Sequence, residues 1–345
     1  MHDRLTGKSG SGEGYDMGPN CDISRDIRLC VEPSVAPMSW EKFCATAPSF
    51  SIALDGYVNS APAFNSAGPH VNFDHHSGVN RLATRSTCGQ VLLAIRQGLF
   101  KTFCNGSEPQ AVVYTNDCDE DICLAWTLIN NPELAIDMSN DRLNDLVVME
   151  DLLDSTAGCY PVPLDNDLMR QMGWIFQPYR EARSSGELYR QRTSEFFRRI
   201  ILEVERRILA YLRGRTDSVE LDGRYRILGG GLGWRMIDEV GVDGRSAAIA
   251  DGIDAYVLIR KFGELDAING SPVWVYVLGR ISPYIRFPVL ELLQALNDAE
   301  GTGTSEDRWG GSDLVGGSPR HSGSTLDPTT VQSVINELLD ALPSR

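Results

Sequence analysis

No stretch of the chain stays apolar for the ~18–20 residues that a membrane-spanning helix requires. The start, Met1-His2-Asp3-Arg4 followed by Gly and Ser, has no apolar core of the kind a secretory signal carries. A cytoplasmic location without a membrane partner is expected by default. Basic charge is also scarce: 32 Lys and Arg face 47 Asp and Glu, a formal net charge of −15. That balance argues against long nucleic acid gripped over an extended basic surface. It leaves room for a small anionic ligand, because bound cations and a few arginines reverse the field inside one cleft. The eight cysteines lie in the first half and form no C-x-x-C pair, so reduced thiols are expected. The run Gly229-Gly230-Gly231-Leu232-Gly233 lacks both the Lys-Ser/Thr of a phosphate loop and dinucleotide-fold spacing, and reads as a turn.

What is present is an ordinary globular composition, 42% hydrophobic and 23% charged over 345 residues, enough for two cores. Residues 1–20, rich in Gly, Ser and Asp, read as a flexible leader, and 21–48 as irregular structure or one edge strand. Strands then alternate with helices. Ser51–Leu54 ends at Asp55-Gly56, and Val71–Phe73 runs into Asp74-His75-His76. A helical pattern follows over Ser86–Phe100, with Ser86 as its cap. Ala111–Tyr114 leads into Asp117-Cys118-Asp119-Glu120-Asp121, and a helix opens at Ile122. Leu143–Leu153 is a further helix or strand that delivers Asp151 and Asp154. This alternation predicts an α/β fold with a parallel sheet and a ligand crevice at the carboxyl ends of its strands.

Glu187–Leu212 carries an amphipathic pattern expected to form one long helix, stopped at Gly214, with its arginines on a solvated face. A second α/β region follows, with strands at Tyr225–Leu228, Ala255–Ile259 and Val273–Leu278 and a helix over Phe287–Leu296. A last helix is capped by Asp327 with Pro328 at its first position.

Two constellations carry chemistry. The chain has only five histidines, and two of them stand side by side after a strand-like run, next to an acid. Imidazole beside carboxylate at a strand end suits a divalent metal with a phosphate or carbonyl oxygen bound to it. The alternating acids Asp117, Asp119 and Asp121 aim carboxylates to one side of a strand–helix junction, where the helix amino terminus offsets part of their repulsion; such hard oxygen donors suit Mg or Mn. A weaker signal is the glycine-rich loop from Trp309 to Ser324, whose Arg320 can clamp an anion.

Together, Asp74-His75-His76, the STCGQVLL that follows, NDCDEDICLAW (116–126) and VGGSPRHSGSTL (315–326) resemble the Asp-His-His (DHH) phosphoesterase superfamily with its associated C-terminal domain. The resemblance implies a DHH-like metal-binding catalytic domain over 21–180, a linker helix over 181–215, a smaller α/β substrate-binding domain over 216–345, and an active-site cleft between the two domains. It implies two Mn²⁺ or Mg²⁺ ions held by Asp55, His75, Asp117, Asp119, Asp121 and either Asp151 or Asp154. Asp74 would orient a histidine, while His76 and Arg320 would act on the substrate. Gly316, Gly317, Ser318, Arg320, His321, Arg280 and Arg286 would bind the substrate's far end. In the superfamily the D-x-D-x-D strand comes before the lone Asp and the DHH; here it comes third, which requires a rewired sheet. Ser318 also stands where the family usually has His. The expected activity is metal-dependent hydrolysis of a phosphoester, as phosphatase or phosphodiesterase, on a small nucleotide-like or other phosphorylated metabolite. Three alternatives stay open: a non-catalytic metal- or ligand-binding regulator, an exonuclease for single strands or oligonucleotides, and a hydrolase acting on something other than phosphate. A homodimer is allowed.

Overall fold

The computed structural model describes residues 21–24, 26–262 and 273–343; the leader expected at 1–20 lies outside the described residues. The first half forms strands β1 (Cys21–Ser24), β2 (Asp26–Val31), β3 (Ser51–Leu54), β4 (Ala63–Asn65), β5 (His70–Phe73), β6 (Cys104–Asn105) and β7 (Glu108–Thr115). Its helices are α1 (Trp40–Thr46), α2 (Thr87–Arg96), α3 (Leu99–Thr102), α4 (Glu120–Asn130), α5 (Pro132–Ile136) and α6 (Asp141–Ser155). There follow α7 (Asp167–Ile175), α8 (Gln177–Ser184), α9 (Glu187–Arg190) and α10 (Ser194–Leu212).

The seven strands make one sheet in the order β1-β2-β7-β3-β5-β4, with β6 folded back on β7. The four central strands β2, β7, β3 and β5 are parallel, and the edges β1 and β4 are antiparallel. The central strands are apolar nearly throughout because both faces are covered. Ile52 and Leu54 pack into the large core with α2, α4 and α10, while Ala53 between them joins a smaller cluster with Phe43 of α1, Tyr57 and Val58.

This strand order decides where the chemistry meets. The acid-bearing strand β7 comes last in sequence but inserts between β2 and β3, so β7, β3 and β5 are parallel neighbours. Their carboxyl ends, leading to Asp117, Asp55 and His75, open on the same edge of the sheet. Residues 21–48, expected as irregular structure or one edge strand, instead supply an interior strand, β2, with Ile27, Leu29 and Val31 fully buried. The helix expected over Glu187–Leu212 is broken at Gln191–Thr193; Thr193 restarts it by accepting the Phe196 N–H at 3.2 Å. The helix expected over Ser86–Phe100 ends at Arg96, because Gly98 takes φ +100° before the short α3.

The second half forms β8 (Tyr225–Gly231), β9 (Trp234–Glu239), β10 (Ala255–Phe262), β11 (Val273–Arg280), β12 (Gly310–Gly311) and β13 (Val315–Gly317), with α11 (Gly244–Ala250), α12 (Val289–Glu300) and α13 (Pro328–Ala341). Its sheet has the order β12-β13-β11-β10-β9-β8, parallel only between β9 and β10. One face packs on α12 and α13. The other joins α11 in a cluster that takes Cys159 from the first half, its Sγ 3.3 Å from Tyr256 Oη. Gly229 to Gly231, read as a turn, continue β8 instead. A side chain is excluded at Gly230, where φ is +137° and a Cβ would meet the Trp234 carbonyl oxygen at 2.5 Å; Gly229 and Gly231 lie against Gln332 and Asn336 of α13. No helix among the described residues is long and apolar enough to cross a membrane.

Candidate metal centre

β3 ends on two consecutive left-handed residues, Asp55 (φ +47°) and Gly56 (φ +77°). Asp tolerates that region better than most residues with a Cβ. The Asp55 N–H donates to the Phe73 carbonyl at 2.8 Å, which ties its carboxylate to the end of β5. There Asp74, fully buried, accepts the backbone N–H of His76 at 3.0 Å and of Ser77 at 3.1 Å. This turn is closed by the side chain and leaves the two imidazoles with centroids 4.3 Å apart. Asp74 therefore orients the histidines through the backbone rather than through a ring nitrogen.

The His75 side chain is fully buried, and that of His76 is 40% exposed. His75 Nε2 lies 2.7 Å from Asp154 Oδ2, 3.3 Å from Asp55 Oδ1 and 3.9 Å from Asp121 Oδ2. Even so, neither ring nitrogen of His75 nor Asp154 Oδ2 has a partner aligned as a hydrogen bond. Buried polar atoms in that state are rare; here they face one another across a gap that suits a cation. Two groups of potential ligands overlap at His75: Asp55, His75 and His76, and then His75, Asp121 and Asp154. Imidazole with several carboxylates suits a borderline-hard divalent ion, and these clusters can hold one.

Of the other expected ligands, Asp117 and Asp119 belong to neither group. Asp121 caps α2 from a distance in sequence: its Oδ2 accepts the Thr87 N–H and its Oδ1 the Cys88 N–H, both at 2.7 Å. Thr87 Oγ1 donates to Asp55 Oδ1 at 2.9 Å. Asp119 caps α4 by accepting the Ile122 N–H at 2.9 Å, and Asp117 accepts the Cys118 N–H at 2.7 Å. Of the two acids at the end of α6, Asp154 reaches His75, whereas Asp151 does not join either group. Asp151 accepts the Ser86 N–H at 2.6 Å and pairs with Arg85 at 3.0 Å.

The electrostatics show how crowded the negative charge is. Burial, together with Asp55, Asp117, Asp154 and Asp121, pushes the Asp119 carboxyl well above its usual range. Burial, with Asp154 and Asp55, lifts Asp121 to about 7. Burial and Asp55 also raise Asp117. Asp55 goes the other way: burial opposes its ionisation, but the imidazoles of His75 and His76, 3.3 and 3.1 Å from its Oδ1, hold it well below the carboxylate range. For His75, burial disfavours the charged ring, and Asp154 with Asp55 outweighs it, so that the ring is raised to about 10. Carboxyl groups that raise one another in this way mark a place where added positive charge would be stabilised.

Five of the expected substrate contacts of the second half, Arg280, Arg286, Gly316, Gly317 and Ser318, have structural partners within that half. Arg280 donates to the carbonyls of Asp313, Pro283 and Ile285, and Arg286 to those of Leu339 and Leu342. Gly316 and Gly317 lie in β13, where a Cβ would meet Leu293 Cδ1 at 2.5 Å or the Tyr276 carbonyl oxygen at 2.8 Å. Ser318 is buried, exchanging two hydrogen bonds with the Tyr276 backbone at 3.1 Å each. The His321 N–H donates to Asp307 at 3.2 Å; Arg320 and His321 are exposed. Close packing thus accounts for the paired glycines. Thr87 and Arg81 are contacts that sequence reasoning missed. Arg81 meets both Asp154 and His76, and its one sequence signal is the Asn80 that caps the turn it sits on.

Compared with models of known protein families, with curated proteins and with solved structures, the chain matches none.

Proposed function

We propose that this protein is a divalent-metal-dependent phosphoesterase acting on a small nucleotide-like or other phosphorylated metabolite. One observation carries the reading: a fully buried imidazole without a hydrogen-bond partner, set among Asp55, Asp121 and Asp154. The resemblance of Asp74-His75-His76 and the Asp117–Asp121 run to the DHH superfamily supports it, as does the adjacency of their strands. Mn²⁺ or Mg²⁺, in a pair, would be held by Asp55, His75, Asp121 and Asp154, with Asp117 and Asp119 completing the set. Such ions supply Lewis acidity toward a phosphoryl oxygen and make water a nucleophile at neutral pH.

The chain's own residues do the rest. Thr87 fixes the Asp55 carboxylate, the Asp74 turn fixes both histidines, and burial of His75 keeps bulk water from one flank. His76, open to solvent on the rim, is placed to hydrogen-bond a phosphoryl or leaving oxygen. The surrounding acidity favours a small anion carried in with cations over a long polyanion.

A screen of phosphorylated metabolites with Mn²⁺, scoring phosphate against nucleotide product, tests the reading. Release is expected from the native chain and a loss of about 10³-fold or more in His75→Ala. Turnover unchanged in that variant would remove the site from consideration. A second reading, a regulator that binds one ion without hydrolysis, is favoured by Asp121, whose two oxygens already accept amide hydrogens. One bound ion per chain with no product would select it.

A further inference from the structure

We propose that Arg81 is the positioning residue of this centre, holding Asp154 toward His75 and keeping the neutral His76 ring in the tautomer whose proton sits on Nε2. The inference rests on the ion-binding reading above. Arg81 begins a single 3-10 turn, Arg81–Ala83, between the histidine pair and α2; the Asn80 side chain caps that turn by accepting the Leu82 N–H at 3.2 Å.

From there the guanidinium works in two directions. Its Nε and Nη2 donate to the Asp154 carbonyl at 3.2 and 2.9 Å, a carbonyl in the last turn of α6 that also accepts the Ala157 N–H at 2.8 Å. Nη2 also donates to Asp154 Oδ1 at 3.0 Å. With Oδ1 engaged, Oδ2 is the oxygen left facing His75 Nε2, at 2.7 Å.

In the other direction, Nη1 lies 3.4 Å from His76 Nδ1. A guanidinium has donors only and does not release its proton, so the nitrogen it faces must accept. On the far side of the ring, Nε2 lies 3.1 Å from Asp55 Oδ1, a carboxylate whose charge favours a proton on the nitrogen nearest it. Both neighbours assign the same tautomer. A role confined to capping α6 explains the two carbonyl contacts but not the reach to Asp154 Oδ1 and to His76. Arg81 thus links Asp154, which reaches His75, to the one histidine exposed on the rim.

Nitrogen spectra of ¹⁵N-histidine-labelled, ion-free protein, taken at a pH where His76 is neutral, read the tautomer and report whether Nδ1 accepts a hydrogen bond. The native chain is expected to show a proton on Nε2 and an accepting Nδ1, and Arg81→Met to lose the acceptor signature. Calorimetric titration with Mn²⁺ should show binding about 10–100-fold weaker in Arg81→Met, with Arg81→Lys between the two. A native His76 carrying its proton on Nδ1 overturns the proposal without any variant, and so decides the matter even if the variants do not fold. An Arg81→Met protein with native Mn²⁺ affinity, or with an unmoved His76 Nδ1 resonance, overturns it as well. Failure of the native chain to bind Mn²⁺ would be a separate result, against the ion-binding reading, because the tautomer is read without the ion.

Discussion

At the scale of single residues, the centre holds more negative charge than the fold alone would retain. Asp119 caps a helix, a task Asn performs equally well, yet its carboxyl is lifted by burial and by four neighbouring acids. Replacing Asp119 with Asn should therefore stabilise the ion-free protein, by about 0.5–2 kcal/mol in urea denaturation, while weakening Mn²⁺ binding. A variant less stable than the native chain would mean that the carboxylate is structural. Asp55, His75 and the acid run were legible in the sequence because each ends a strand-like segment, and a parallel sheet delivers such ends to one edge. Thr87 and Arg81 were not. Their roles depend on contacts 32 and 73 residues away in sequence, and no local pattern encodes those.

At the scale of elements, α2 and α6 divide the work of two similar acids. Asp151 and Asp154 lie three apart on α6, and the sequence could not choose between them. In the fold, Asp151 anchors the start of α2 through the Ser86 N–H and Arg85, whereas Asp154 turns to His75. Asp151→Ala should cost about 0.5–2 kcal/mol of stability, as the loss of a cap does, and leave Mn²⁺ affinity near native. Asp154→Ala should do the reverse, with calorimetry and denaturation read on both; exchanged outcomes would contradict the geometry. The glycine-rich segments were misleading at this scale. Gly229–Gly231 read as a turn and Gly316-Gly317 as part of an anion-binding loop, but they lie in strands β8 and β13, packed closely against their neighbours. Strand β2 was obscured for another reason: its apolar alternation is short and is followed closely by Pro33 and Pro37.

At the scale of the whole molecule, the crowded charges make stability depend on pH and on ions together. The ion-free Asp121 carboxyl sits at about 7 against an ordinary 3.8. The folded state therefore holds a proton that the unfolded chain releases, and this contribution fades as pH rises from about 4 to 7. His75, raised to about 10 from 6.5, contributes fully below 6.5, and its contribution is lost as pH climbs through 10. Both trends point the same way, so the melting temperature of the ion-free protein should fall between pH 6 and 9. Divalent ions replace those protons, so the rise in melting temperature on adding Mn²⁺ should be larger at pH 8.5 than at pH 6. A larger rise at the lower pH would show that the ions bind elsewhere.

The proposed pair of cations would gather beside His75, where strand ends from separate parts of the first sheet meet. Metal content of the purified chain after equilibration with Mn²⁺, compared with His75→Ala, tests it most directly. The expected result is two ions per native chain and loss of at least one in the variant. A native chain that retains none, or a variant that retains as many as the native chain, would contradict it.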